Sequence, residues 1–454
     1  MTRRVRHPLV ILAGLLAVGV LGAGRLFAAD DSPASRDQLL QQIESLKARV
    51  AQLEASQQQA LNARDVDQTV ERVLRDAERR SKLLADAAGL TAGFDKGKFF
   101  LRSEDGNWLL MPGFLFQTRY TANFNTDGDD DINSGFEIRR MRLILSGNAV
   151  SPDLKYFFQW ETNSTSGNLF LLDAWARYKL AANLNLQVGQ FKDTVHQEQR
   201  MADELLLTER SLINALIGGG NIDRVQGAML MYDDGQHLQV NLAAHDGYNS
   251  KNTDFTDSGA GTAFVGVTDL NFGFSARANY FVTGTPRQYD DFTAMGNTQD
   301  LLVIGAGMNW SQGGDSDVIF HTIDAQWENA AGLGVYAALY GMWRDIGDGT
   351  AIPDGDYYDY GAQLQAGYLL ARRCEVFGRY DYIALDDGAL AAGAEDTLHE
   401  LTVGTNYYYH GHNAKLTLDL SWLPSGSPTS VGGLGVVAGD EDQLILRLQA
   451  QLFL

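Results

Sequence analysis

Residues 413–422, NAKLTLDLSW, decide the fold because apolar and polar side chains alternate along them without a break. A strand places every second side chain on the same face, so this segment has one apolar and one polar face. The same period governs residues 444–454, LILRLQAQLFL. A soluble β-sandwich or secreted barrel is the alternative, but it needs a second apolar layer, and no separate core sequence supplies one. We therefore expect the apolar face to meet lipid and the polar face to meet water.

Turn signals divide residues 108–454 into sixteen predicted strands, most of them nine to fourteen residues long. A tilted strand needs about 9–11 residues to cross the hydrocarbon of a bilayer. Short turns such as DDGQ (233–236) alternate with long acidic loops such as TDGDDDINSG (126–135). This pattern predicts an all-β fold, a 16-stranded antiparallel transmembrane β-barrel over residues 94–454. One connection, TGTPRQYDDFTAMGNTQ (283–299), is long where a short turn is expected.

The chain begins with the features of a secretory signal peptide, which we place over residues 1–29. Three arginines within the first six residues precede an apolar stretch that starts at Leu9, and small residues follow at Ala28 and Ala29. An uncleaved anchor helix is the alternative. In either case the remainder of the chain is expected to leave the cytoplasm.

Residues 30–90 differ from the rest and predict a periplasmic α-helical stalk with a short coiled coil. Apolar residues repeat with heptad spacing at Leu39, Ile43, Leu46, Val50 and Leu53. A lone amphipathic helix is the alternative, since only two heptads are regular. β-branched residues at one seam position and leucine at the other favour a coiled coil of two helices by the simplest rule.

Composition excludes several function classes. A net charge of −21 opposes nucleic acid as a partner. A single cysteine, Cys374, forms no internal disulfide. No nucleophile–base order, phosphate-binding loop or dinucleotide motif falls on a suitable element, so we expect no catalytic residues, no cofactor and no metal site.

Five segments carry a resemblance to a known family. They are FEIRRMRLILSG (136–147), LNLQVGQFKD (184–193), ADELLLTERS (202–211), DRVQGAMLMY (223–232) and VFGRYDY (376–382). Together they resemble the phosphate-selective porin O and P family, across most of residues 94–454. The resemblance implies a homotrimer of sixteen-stranded barrels in the lipid of the bacterial outer membrane. Each barrel is then a passive diffusion channel for small anions such as phosphate or polyphosphate.

A second function is compatible with the same architecture. A structural tether has a plugged barrel as its anchor in the membrane, and its stalk reaches the peptidoglycan. Conductance separates the two functions, because a tether conducts little or no current.

The overall charge of the barrel conflicts with anion transport, since residues 94–454 contain 23 Lys and Arg against 46 Asp and Glu. Strand alternation resolves part of the conflict, because most acids fall in the long loops while the polar faces of the strands carry cations. The predicted inward-facing cations are Arg119, Arg140, Arg142, Lys155, Arg177, Lys179, Arg224, Arg277, Arg379, Lys415 and Arg447. An alternative role for these arginines is to pair with acids of the lumen and stiffen the wall.

The strand at residues 136–147 contains three arginines in four positions. An Arg or Lys that faces lipid costs about 2–4 kcal/mol at mid-bilayer. If Met141 and Leu143 face lipid, the alternation of the strand places Arg140 and Arg142 on the inner face. Arg139 is then on the outer face, where we expect it near the lipid headgroups or against a neighbouring subunit.

The connection of residues 192–223 is the longest predicted outer loop and the third in order. It combines an apolar patch, including Leu206, Leu212 and Leu216, with mixed charges. Because apolar residues need a wall to pack against, we expect this loop to fold into the barrel. The expected pore-lining, anion-binding cations of the loop are Lys192, Arg200 and Arg210.

Overall fold

The computed structural model describes residues 33–60, 70–80, 89–95, 97–125, 132–255, 261–262, 264–267, 270–347, 350, 352–391 and 394–454. The chain divides into two compact units, Met1–Leu83 and Leu84–Leu454. The predicted signal peptide, residues 1–29, lies outside the described residues.

The first unit is helical where it is described. Helix α1 spans Pro33–Ala60, and residues 70–80 are also helical. Ile43, Leu46 and Val50 of the predicted heptad seam are exposed on α1. None of the described helices is both long enough and apolar enough to cross a membrane.

The second unit is a closed antiparallel barrel preceded by a short hairpin. The hairpin strands are β1 (Leu90–Asp95) and β2 (Lys98–Ser103), and the end of β2 pairs with the start of the first barrel strand. The barrel contains sixteen strands within the described residues, which confirms the predicted fold class. The hairpin was not predicted.

The barrel strands, in chain order, are β3 (Leu109–Asn125), β4 (Ile132–Ala149), β5 (Ser151–Thr162), β6 (Leu169–Ala181), β7 (Leu184–Lys192), β8 (Arg224–Asp233), β9 (Leu238–His245), β10 (Phe272–Thr283), β11 (Leu301–Gly313), β12 (Ser316–Glu328), β13 (Leu333–Ile346), β14 (Gly355–Ala371), β15 (Cys374–Ala384), β16 (Thr397–Tyr408), β17 (Ala414–Leu423) and β18 (Gln443–Phe453). Each strand pairs with the next. Strand β18 pairs with β3 and closes the barrel.

Strand β17 shows which face of the wall is which. Lys415, Thr417 and Asp419 are buried inside the barrel, whereas Leu418 and Leu420 are exposed on its outer surface. The alternation that predicted the strand therefore places the apolar face outward, as a lipid-facing barrel requires.

The connections separate the barrel into two ends, which we call the turn end and the loop end. Strand β3 starts at the turn end, where most connections are short, such as residues 182–183 and 372–373. Most long connections lie at the loop end. Two connections depart from this rule: residues 284–300 form a long segment at the turn end, and residues 314–315 form a short turn at the loop end. The unusual length noticed in the sequence is therefore real and does not disturb the strand count.

A β-bulge interrupts the pairing of β3 with β4 at Arg139. Gln117 pairs with Arg140 and the next residue, Thr118, pairs with Ile138, so Arg139 has no partner in the ladder. A bulge places two residues of one strand opposite one residue of the other and locally shifts the alternation. As a result, Arg139 and Arg140 both contact groups inside the barrel. The prediction that Arg139 lies outside the lumen is wrong for this reason.

Candidate functional site

The loop of residues 193–223, called L3 below, lies inside the barrel. Its central helix α3 (Leu212–Ile217) buries Leu212, Ile213 and Leu216 completely or nearly so. Ser211 caps this helix, accepting a hydrogen bond from the Asn214 N–H at 3.2 Å. Before it, the chain forms a single helical turn, α2 (Gln197–Arg200), and after it the turn α4 (Gly219–Ile222).

The helix α3 packs against strands β13, β14 and β15. The apolar residues of L3 and the wall form one buried cluster, which includes Tyr336, Tyr340 and Ile383 of those strands. The apolar core of this barrel therefore lies within the lumen, between L3 and one side of the wall. Burial of such side chains contributes about 1.5–3 kcal/mol each, which favours the inward position over a solvated loop.

Glu209 of L3 is held by three arginines of the facing wall. Arg140 donates from Nη1 and Nη2 to its two carboxylate oxygens at 2.9 and 2.8 Å. Arg119 donates at 3.1 Å, and Arg139 donates from Nε at 3.0 Å. Burial raises the pKa of the Glu209 carboxyl, but the charges of the three arginines outweigh burial and hold this pKa well below its usual range.

Asp203 of L3 forms a second contact with the same wall. It accepts hydrogen bonds from Arg142 and from Arg210 of L3 itself, and Arg140 lies 3.3 Å away. Lys192 lies 3.7 Å from its carboxylate. Burial again raises the pKa of the Asp203 carboxyl, and the neighbouring cations more than compensate, so this pKa is also lowered strongly.

Two carboxylates of the wall join this cluster, which we call the eyelet. Glu137 pairs with Arg119, and Glu161 pairs with Arg142. Within the described residues, the eyelet contains six cations, which are Arg119, Arg139, Arg140, Arg142, Lys192 and Arg210. Four carboxylates face them, those of Glu137, Glu161, Asp203 and Glu209. The formal charge of the eyelet is therefore positive despite the acidic barrel.

Two further predicted site residues, Arg277 and Arg379, are buried in ion pairs outside the eyelet. Arg277 pairs with Asp324 at 2.8 Å, and Arg379 pairs with Glu400 at 3.0 Å. Both also donate to L3 carbonyls, Arg277 to that of Val195 and Arg379 to that of Glu209. Their position fits an anchoring role for L3.

Arg224 and Arg200 form ion pairs that join L3 to neighbouring parts of the barrel. Arg224 pairs with Asp173 at 3.0 Å and with Asp223 at 2.8 Å. Arg200 pairs with Asp290 at 3.1 Å and lies over the ring of Tyr289. These contacts join L3 to β6 and to the turn-end segment of residues 284–300.

The turn-end segment also enters the barrel. Its short helix α5 (Pro286–Tyr289) is followed by Phe292, which is buried against Tyr336 of β13 with ring centroids 4.8 Å apart. The Gln197 amide of L3 donates to the Tyr289 carbonyl at 2.7 Å. L3 and this segment therefore fill the same side of the lumen, one from each end.

Three other predicted cations, Lys155, Arg177 and Lys179, make no ion pair with any carboxylate among the described residues, whereas Arg447 pairs with Asp419 at 2.6 Å. Lys155 and Arg177 are cross-strand neighbours on β5 and β6. Arg177 donates from Nε and Nη2 to the Gln187 side chain at 3.0 and 2.6 Å. These cations lie toward the turn end, below the eyelet.

A cavity of about 380 Å³ separates L3 from the wall on the β4–β9 side. Arg142, Arg177 and Lys192 line it, together with Asp203 from L3 and Trp175 from β6. Cations of the eyelet and of the turn end therefore line the same cavity.

A buried cluster of Ser275, His245 and Asp193 contains the residue types of a catalytic triad. His245 Nδ1 accepts a hydrogen bond from the Gly247 N–H at 3.1 Å, so the ring proton is on Nε2, which lies 2.8 Å from Ser275 Oγ. The serine in turn donates to Asp193 at 2.5 Å. With its proton on Nε2, the histidine donates to the serine hydroxyl. These hydrogen bonds attach Asp193, at the start of L3, to strands β9 and β10.

Sequence reasoning missed several residues of the site. Arg139 was placed outside because a strict two-residue period contains no bulge. Asp203 and Glu209 were not singled out as site residues, since the sequence does not specify which cation a folded loop will contact. Arg344, which pairs with Asp359 at 2.6 Å inside the barrel, occupies the inward phase of β13 and was detectable from that alternation.

Comparisons with known proteins agree with this architecture. No curated protein matches the chain. Solved structures with a similar fold include OmpT of Vibrio cholerae, with a TM-score of 0.50, 12% identity and coverage of 76% of this chain and 98% of that chain. They also include OprB of Pseudomonas putida (0.51, 11% identity, 76% and 94%) and OmpF of Salmonella typhi (0.51, 14% identity, 77% and 99%).

The model of one protein family, phosphate-selective porin O and P, matches residues 114–276. This range runs from β3 through L3 to β10, so it includes the arginine-rich strand β4 and both L3 carboxylates. The matched family is one of porins. The resemblance found in the sequence is therefore confirmed over residues 114–276, which match the phosphate-selective porin O and P family, and the chain has the fold of a 16-stranded β-barrel of the porin type.

Proposed function

We propose that the protein is a passive, homotrimeric diffusion channel that prefers small anions, including phosphate. The observation that carries this proposal is the eyelet, where six cations face four carboxylates at the narrowed part of the lumen. The field at a narrow, low-dielectric passage depends on the charges that line it more than on the total charge of the protein. Acidic loops at the mouth and a basic eyelet are therefore compatible.

The cations of the turn end extend the same preference along the passage. Lys155, Arg177 and Lys179 supply positive charge that no described carboxylate neutralises. An anion that leaves the eyelet then meets a second group of cations instead of an acidic wall. Such a succession of weak sites favours conduction, because each site attracts the ion without trapping it.

The orientation follows from the way such barrels insert. Short turns face the periplasm and long loops face the outside. With the turn end in the periplasm, the helical unit before the barrel is a periplasmic stalk. The exposed Ile43, Leu46 and Val50 of α1 would be covered by the same helix of other subunits. The family resemblance favours three copies over the two that the seam residues alone suggest.

Reversal potentials test the selectivity. The purified full chain in planar bilayers under a KCl gradient should give a potential of the sign expected for chloride preference. The triple variant Lys155→Gln, Arg177→Gln, Lys179→Gln should shift this potential toward zero without leaving an acid unpaired. Arg372→Gln, in a turn at the same end of the barrel, is the matched control. Cation preference in the native protein would overturn the proposal.

A structural tether is the second candidate, and the filled side of the lumen is the observation that favours it. L3 and residues 284–300 contact each other through Gln197 and Tyr289 across the interior. In this case the barrel anchors the membrane and the stalk binds peptidoglycan. A correctly assembled barrel that carries no current, and whose full chain sediments with purified peptidoglycan, would support the tether and overturn the channel.

A further inference from the structure

The cavity beside L3 is lined both by aromatic rings and by an arginine side chain, and inorganic phosphate would use only the arginine. We propose that it is a binding site for aromatic carboxylates, formed by the rings of Phe157 and Trp175 and the guanidinium of Arg177. This inference rests on the proposed channel function and specifies a substrate class for its passage.

The aromatic part of the site faces the lumen rather than lipid. Phe157 and Trp175 are cross-strand neighbours on β5 and β6, in the same phase as Lys155 and Arg177. Their rings lie nearly parallel, 15° apart with centroids at 5.4 Å, and both line the cavity. Large apolar surface in a polar lumen is unfavourable unless another group covers it. Phe191, which has the same inward phase on β7, also lines the cavity but is buried in the apolar cluster with L3, whereas Phe157 and Trp175 are only partly buried.

The anionic part of the ligand has a partner at the same place. The Arg177 guanidinium lies over the Trp175 ring, 4.6 Å from its centroid. Its Nε and Nη2 donate to Gln187, and no described contact uses Nη1. Arginine binds carboxylates through its planar fork, and stacking on an aromatic ring holds that fork in one orientation.

The spacing suits a ligand whose ring and charge are adjacent. Trp175 and Arg177 are two residues apart on one strand, and the Arg177 guanidinium carbon lies 4.6 Å from the centroid of the Trp175 ring. A carboxylate bound by Arg177 would therefore place a ring attached directly to it beside Trp175. Met229, opposite Gln187 on β8, adds a polarisable apolar group to the same cavity. The cavity of about 380 Å³ lies within the range of roughly 300–1,000 Å³ that is usual for small-molecule sites.

Benzoate, acetate and benzylammonium separate the contributions of ring and charge. Binding to the detergent-purified full chain is measured by isothermal titration calorimetry, and block of the KCl current is measured in planar bilayers. We expect benzoate to bind about tenfold more tightly than acetate, which lacks the ring. Benzylammonium has the ring with the opposite charge and should not bind.

Two variants and one control test the residues. Trp175→Ala should lower benzoate affinity about tenfold, and Arg177→Gln should remove most of the preference for benzoate over benzylammonium. Both variants should keep the heat-modifiable electrophoretic mobility of the folded barrel and should still carry KCl current. Trp160→Ala, on the outer face of the adjacent strand β5, is the matched control and should bind benzoate like the native protein.

The two readouts distinguish failure of the site from failure of the channel. A barrel that conducts KCl but binds benzoate no better than acetate would overturn the site and leave the channel intact. A barrel that binds benzoate but carries no current would overturn the channel and keep the site. Equal effects of Trp175→Ala and Trp160→Ala would also overturn the site.

Discussion

Arg140 and Glu209 join the barrel wall to L3 through two parallel hydrogen bonds of 2.9 and 2.8 Å between nearly fully buried side chains. Arginine and carboxylate form this bidentate geometry preferentially, and it fixes the orientation of both groups. The pair lies on the side of L3 opposite the apolar packing of α3. Ion pairs with L3 side chains therefore predominate on this side of the loop, and apolar contacts predominate on the other.

Glu209→Gln should weaken this attachment and increase anion preference. The change removes the charge that balances Arg119, Arg139 and Arg140, and loss of one partner from a buried ion pair costs about 3–5 kcal/mol. We expect a lower unfolding temperature, a larger single-channel conductance and a reversal potential shifted toward chloride. Glu204→Gln is the control, because Glu204 lies in the same loop and forms no ion pair among the described residues. Similar conductance in the two variants would contradict the role of Glu209.

Deletion of Arg139 should be tolerated by the barrel. Without the bulged residue, Gln117 and Thr118 of β3 face consecutive partners, Arg140 and Ile138, and every other side chain keeps its face. We expect the deletion variant to assemble, with the heat-modifiable electrophoretic mobility of a folded barrel, and to have a reduced anion preference.

Deletion of Leu143 is the comparison for this experiment. It removes a residue from the regular part of β4 and would turn the rest of the strand to the wrong face. We expect no assembled barrel. If both deletions assemble equally well, the bulge does not have the structural role assigned to it.

Gly307→Ala should displace the start of L3. A Cβ at this position would lie 2.4 Å from the Val195 carbonyl oxygen, which also accepts a hydrogen bond from Arg277. Overpacking of this kind costs about 1–3 kcal/mol. Thermal unfolding and single-channel conductance measure the effect. Gly378→Ala is the control, since its nearest neighbour is the Thr402 carbonyl oxygen at 3.8 Å, and a comparable loss there would contradict this explanation.

The position of L3 should not change between about pH 8 and pH 5. Asp203 and Glu209 have lowered carboxyl pKa values in the folded protein. Stability from such groups is complete above their unfolded pKa, about 4, and is lost only as pH falls through the folded value. The distance between spin labels on cysteines placed at Ala202 and Ser146, in a variant that lacks Cys374, should be the same across this range when it is measured by electron paramagnetic resonance. A change in this distance above pH 5 would show that another group controls the loop.

The sequence predicted the regular part of the fold because alternation of apolar and polar residues has a direct physical cause in the lipid and aqueous faces of a strand. It located Arg140 and Arg142 on the polar face for the same reason. Arg139 escaped because a bulge is a local change in pairing that depends on the neighbouring strand, and the sequence of β4 alone contains no signal for it.

The contacts of the loops were harder to predict from the sequence. The apolar residues of L3 indicated that it folds inward, but its path determines that Glu209, rather than Glu204, meets the arginines. The entry of residues 284–300 into the barrel was not predicted, although their length was noticed. Their contacts, such as Gln197 with Tyr289, join segments far apart in the chain and depend on the closed barrel.

The bulge at Arg139 also indicates how barrels of this kind can diversify. Gain or loss of one codon at that position changes the number of lumen charges while the lipid face and the strand pairing on both sides persist. Selectivity can therefore evolve by small insertions and deletions at this point of a membrane strand. The same insertions and deletions elsewhere in β4 would prevent folding.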